Sequence, residues 1–329
     1  MSALYRSASA LSLALTVSLT ISPARGQEPA ANSVALPTQI LKSGINLSSS
    51  NISPNSAQLA EQTGLMPVLA KLNAIRPEIA ALKSAEPTLD SLLKRQEYCE
   101  LQEKAQQIVG QTNLEIDYVL AEINAERNLY GEILTAMTSR RDKLVARSNA
   151  ASFYTNGVLW AVGEAFDIPT YRAPRLSIPS GTVSILAGVV PSFFSLWAMH
   201  QYNGQKKESE NEPNMLAKLF NYPVNNEVDY PASVITFLNS VPPDGVSKKT
   251  RKEQLIDRWL SDQNIPSFTD RNNRKILDCI TASVSHEKGL SIETLAARQD
   301  MLQQLSSEVM KMKRLLLELS MAGHGEKTI

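Results

Sequence analysis

The chain has 329 residues, and its 33 Lys and Arg are balanced by 33 Asp and Glu, giving a formal net charge of zero. That balance excludes the basic footprint a phosphate backbone demands, so no nucleic-acid partner is expected. Aromatic residues make up only 6%, which disfavours a β-sandwich or barrel and points to an all-α chain long enough for one or two cored domains.

Residues 1–26 read as a signal peptide. Arg6 supplies a positive start, Ala10 to Ile21 is an uncharged apolar run of 12 residues, and Pro23 ends it. Ala24-Arg25-Gly26 then places small residues where cleavage before Gln27 needs them. The run is too short for a stable bilayer anchor. The expected address is outside the cytoplasm: the periplasm or cell envelope if the source is bacterial, with membrane association left open. Residues 27–56 are rich in Ser, Asn and Pro without sustained periodicity, and read as a flexible leader.

A helical region follows over 57–148, with short helices expected to start near Pro67, Pro77 and Pro87. No proline then occurs until Pro169. Within that gap one heptad line runs Val109, Ile116, Ile123, Tyr130, Met137, Leu144. Its companion line runs Thr112, Val119, Glu126, Ile133, Arg140, with Leu120 and Leu134 widening the stripe. This is the pattern of a long helix packed against a partner helix, about 54 Å from Val109 to Leu144. Glu126 and Arg140 weaken the seam, and an ordinary helical bundle would show the same stripe.

Residues 149–205 form an apolar stretch. Leu176 to Gln205 carries no Asp, Glu, Lys or Arg. Its apolar heart, 181–199, contains Val183, Ile185, Leu186, Val189, Val190, Phe193, Phe194, Leu196 and Trp197. This run is either a membrane span or a buried hairpin of a soluble core, paired with the apolar run 150–166 and turned by Pro169, Pro174 and Pro179. A single span would separate the flanking heptad helices across the membrane. If those helices pack together, the segment must double back or stay on one side.

Residues 206–270 are repeatedly broken by proline and read as a small helical subdomain. Its clearest helix is Lys252 to Leu260, with Leu255, Ile256, Trp259 and Leu260 on one face. Helices over 271–322 follow. One is expected at 273–287, with Ile276, Leu277, Ile280 and Val284 facing inward. A second heptad has Leu295, Leu302, Val309 and Leu316 on one line and Arg298, Leu305, Met312 and Leu319 on the other. Ser291 is its expected N-cap, Glu293 suits its first turn, and Gly323 and Gly325 end it before the tail 323–329.

Cys99 and Cys279 are 180 positions apart and make no disulfide framework. If the long helix and the C-terminal helices run antiparallel, the two thiols are held far apart along the bundle and cannot bond within one chain. His200, His286 and His324 have no partner at metal-ligand spacing, and the chain has no nucleophile elbow, P-loop or dinucleotide fingerprint. No catalytic residue, metal or cofactor is therefore expected. The sequence points to an exported, non-enzymatic scaffold or interaction protein that meets a protein partner or a second copy through its helices, with 181–199 attaching it to a membrane. The alternative is a soluble exported helical-bundle binding protein with that segment in its core.

Overall fold

The computed structural model describes residues 44–82, 88–168, 177–200, 214–222, 229–244, 247–262, 264, 280–281 and 291–329. The signal peptide, most of the leader, Cys279 and nearly all of the helix expected at 273–287 lie outside the described residues; of that helix, Ile280 and Thr281 are helical and buried. The described residues are all-α, without a strand. The helices are α1 (Pro54–Gln62), α2 (Met66–Leu82), α3 (Leu89–Asp167), α4 (Ser177–His200), α5 (Ala232–Asn239), α6 (Arg251–Ser261) and α7 (Ile292–His324), with a 3₁₀ turn at Ala217–Phe220.

Local chemistry sets most of the helix ends. Ser53 caps α1, accepting the Ser56 N–H, with Pro54 in the first turn where its missing N–H costs nothing. Thr88 and Ser91 form a reciprocal capping box on α3, and Thr250 and Glu253 form one on α6. Ser291 caps α7 by accepting the Thr294 N–H at 3.1 Å. Gly325 closes α7 in the left-handed region at φ 87°, where its N–H reaches Ala322 O and the Glu326 N–H reaches Met321 O. Pro77 does not start a helix; it lies inside α2.

The long helix runs further than its heptad. α3 continues unbroken through Ser148 to Asp167, 79 residues in all, or about 120 Å. Nothing between Pro87 and Pro169 interrupts its backbone hydrogen bonding.

α7 packs antiparallel along the first half of α3. Gln106 meets His324, Lys313 pairs with Asp117, and Gln299 Nε2 donates to Arg127 O at 2.9 Å. Ile116, Val119, Ile123, Tyr130 and Met137 are buried on α3, as are Leu295, Leu302, Leu305, Val309, Met312, Leu316 and Leu319 on α7. Val109 and Ile133 are partly buried against the same core, and Leu144 is half-buried. These side chains share one core with Leu59 and Leu69 of α1 and α2, Met215, Phe237 of α5 and Trp259 of α6. The two stripes thus close a bundle within one chain.

Residues 44–56, read from the sequence as part of a flexible leader, are held in place. Ile52 N–H donates to Thr328 O and Thr328 N–H to Ser50 O, tying this segment to the C-terminal tail. The helix begins at Pro54, inside the expected leader. Ser, Asn and Pro here form caps and turns, and the distant tail supplies the hydrogen-bond partners that composition does not reveal.

Candidate functional site: an exposed apolar hairpin

Beyond Met137 the outer half of α3 packs against α4. Ser148 Oγ donates to Phe194 O at 2.9 Å and Ser152 Oγ to Pro191 O at 3.4 Å. Farther out, a Cβ on Gly163 would lie 3.5 Å from Ser184 Oγ. Residues 148, 152 and 163 thus meet residues 194, 191 and 184 in turn, so the two helices are antiparallel. The contact uses Ser148, Gly163 and Ala187, all buried and all small. Small residues let helix backbones approach closely, and this is the way helices associate where water supplies no hydrophobic driving force. Pro191 lacks an N–H, and its carbonyl accepts from the Ser152 and Ser195 hydroxyls.

The outer faces of this hairpin are apolar and open. On α3, Phe153 is 77% exposed and Trp160 55%, with Val158, Val162 and Phe166 also exposed. On α4, Ile185 and Phe193 are each 67% exposed, and Leu186, Val189, Leu196 and Trp197 are exposed as well. Val183, Val190 and Phe194 are half-buried. Gly181–Ala198 is long and apolar enough to cross a membrane, and only 11% of it is buried. Most of 181–199 is thus exposed rather than enclosed in the core of the body. The body already fills its core with Leu, Ile, Val and Met from α1, α2, α3, α5, α6 and α7, and α4 packs on the part of α3 beyond that body.

The hairpin is graded along its length. Arg140, Lys143 and Arg147 are exposed at its base, followed by the apolar faces and then by exposed Glu164 and Asp167 at the far end of α3. From Arg147 to Ile168 the helix rises about 32 Å, and from Ile178 to Trp197 about 29 Å. Both lengths match a hydrocarbon core of about 30 Å.

Two buried polar clusters lie in the body, and neither was legible as a site in the sequence. Glu126, noticed only as a break in the seam, accepts the Met215 N–H at 2.8 Å through Oε1, while Oε2 has no hydrogen-bond partner among the described residues. Burial pushes its carboxyl up to about 8, against the Met215 hydrogen bond and the Arg298 charge, which act to lower it. Around it, Asn214 Nδ2 donates to Tyr130 OH at 3.2 Å and Tyr230 OH to Met215 O at 2.7 Å. The Arg298 guanidinium lies 5.3 Å from the centre of the Tyr130 ring.

The second cluster joins the chain ends. Glu318 accepts from the Ser53 and Ser56 hydroxyls, each at 2.6 Å, and from Lys327 Nζ at 3.0 Å. Lys327 also donates to Asn46 O and Ser49 O. A lone Lys two residues before the last ordinarily reads as solvated, so no local signal marks this pair.

A groove of about 370 Å³ between α3 and α7 is lined by Gln102, Gln106, Val109, Asn113, Leu319 and His324. Among the described residues no group of three His, Cys, Asp or Glu is placed to hold a metal ion. No protein-family profile matches the chain, and no curated protein or solved structure matches it significantly.

Proposed function

We propose that this chain is an exported, non-enzymatic helical scaffold attached to a membrane by the hairpin of outer α3 and α4. The observation that carries the reading is the hairpin itself: two antiparallel helices of bilayer length whose large apolar side chains face outward. In water such a surface is an unstable one for a monomer. In lipid it is satisfied, because each helix bonds its own backbone and the helix contact is made by small residues.

The antiparallel pairing of α3 with α7 fits this topology. Both helices belong to one body, so the chain must enter and leave the bilayer on the same side, as a hairpin does. Glu164 and Asp167 lie in the last turn of α3, at the depth of the far headgroups. The capped, densely cored body then stands off the membrane on a continuous α3, presenting helices to a protein partner or a second copy.

Flotation of the mature full-length chain with lipid vesicles, followed by alkaline carbonate extraction, tests the reading. Resistance to extraction is expected, with loss in an Ile185→Asp/Phe193→Asp variant whose circular dichroism still reports the helical body. A monodisperse species that neither floats nor requires detergent would contradict it.

A further inference from the structure

We infer that Arg140, Lys143 and Arg147 form a docking stripe for an anionic phospholipid surface, so that the hairpin selects a negatively charged leaflet on the side of the body. This rests on the membrane reading above and adds the chemistry of the lipid. All three side chains are exposed. None takes part in an ion pair among the described residues, whereas the neighbouring Arg141 is bound to Asp142 at 2.8 Å.

Their spacing places them together. At 100° per residue, positions 140, 143 and 147 fall within about 60° on one face of α3, and that face continues outward through Tyr154, Val158 and Ala165. Tyr154 and Val158 are 72% and 60% exposed. One continuous helix face therefore passes from cations to apolar side chains, the order in which a chain meets phosphates and then acyl chains.

The second helix has the same grading. Ser148 lies against Phe194, so Trp197, one turn nearer the base and 42% exposed, stands at the depth of the cationic stripe. Trp and Tyr favour this layer of a bilayer, where one part of the ring is dry and the other wet. The opposite end of α3 carries exposed Glu164 and Asp167 instead, so among the described residues of the hairpin the exposed cations lie at the base.

The experiment is flotation of the full-length mature chain with vesicles of pure phosphatidylcholine and with vesicles containing one third phosphatidylglycerol. Three cations near such a surface favour it by about a hundredfold in partitioning. That preference should fall to within a few-fold in Arg140→Gln/Lys143→Gln/Arg147→Gln, and should be kept in Arg140→Lys/Arg147→Lys. Equal partitioning of the wild type on both vesicles would overturn the inference while leaving the hairpin in the membrane, and would assign the stripe to an acidic protein surface. An undiminished preference in the triple Gln variant would overturn it too. Failure to float on either lipid would overturn the membrane reading itself, and this inference with it.

Discussion

Lys327 Nζ lies 3.0 Å from Glu318 Oε1, with both side chains fully shielded from solvent. The pair fastens the C-terminal tail to α7 and, through Ser53, Ser56, Asn46 and Ser49, fastens residues 46–56 to both. Removing one member leaves a buried charge uncompensated, so Lys327→Met should cost about 3–5 kcal/mol. Denaturant unfolding measures the loss, and limited proteolysis should show new cleavage near residues 46–52.

Burial acts to raise the Glu318 carboxyl, but the hydrogen bonds from Ser53, Ser56 and Lys327 outweigh it and hold the group below its ordinary 4.5. A lowered carboxyl contributes stability that is present above the unfolded value and lost as pH falls through the folded one. Glu318→Gln should therefore be less stable than wild type at neutral pH, and the difference should shrink as pH falls below 4.5. Thermal melts across that range check this; a constant difference would contradict it.

Glu126 has the opposite sign. Its carboxyl is raised from an ordinary 4.5 to about 8, so between those values the folded state holds a proton that the unfolded state has released. Stability is complete below about pH 4.5 and declines toward pH 8 by up to about 1.4 kcal/mol per pH unit. Glu126→Gln keeps an oxygen for the Met215 N–H and removes the titration. Its melting temperature should vary less than that of wild type between pH 5 and 8, with the advantage growing as pH rises.

A single backbone position locks the end of α7. Gly325 sits at φ 87°, and a Cβ there would come within 2.7 Å of Arg76 Cζ. Arg76 is itself engaged, donating to Ala322 O and Gly323 O. Gly325→Ala should thus destabilise by about 1–2 kcal/mol from the left-handed backbone alone, with the Arg76 contact adding to it. Gly64 shares a positive φ but has open space around it, so Gly64→Ala should cost less in the same unfolding assay.

The helical class, the capped start of α7 at Ser291 and the α6 helix were legible because caps and 3.6-residue periodicity are local. Periodicity does not say which helices meet. That Ile123 and Val309 share one core with Leu69, Phe237 and Trp259 is settled by long-range packing alone. The apolar character of 181–199 was equally plain, while its exposure was not, because a buried core helix and a lipid-facing helix have the same composition. In the sequence Glu126 reads only as a flaw in the seam and Lys327 as solvated, and Met215, Arg298, Ser53 and Glu318 make them buried partners.

The side of the membrane on which the body stands is open to a direct assay. Cys99 is exposed on α3, about 72 Å along the helix from Arg147. In a Cys279→Ser background, export predicts that a membrane-impermeant maleimide labels Cys99 in intact spheroplasts. In the sequence, Arg140, Arg141, Lys143 and Arg147 before the first apolar run outnumber Arg172 and Arg175 between the two runs, a bias that by itself favours a cytoplasmic base. Labelling only after lysis would contradict export and side with that bias.

Bilayer insertion of the hairpin is tested most directly by tryptophan quenching with brominated lipids. Trp160 is exposed on outer α3, about 20 Å beyond Arg147, Trp197 lies near the base of the hairpin, and Trp259 is fully buried in the body. Bromines in mid-acyl positions should quench the wild type strongly, and Trp160→Phe should remove most of that quenching. Bromines near the headgroup should act chiefly on Trp197 and lose their effect in Trp197→Phe. Quenching absent at both depths, or unchanged in both variants, would contradict insertion.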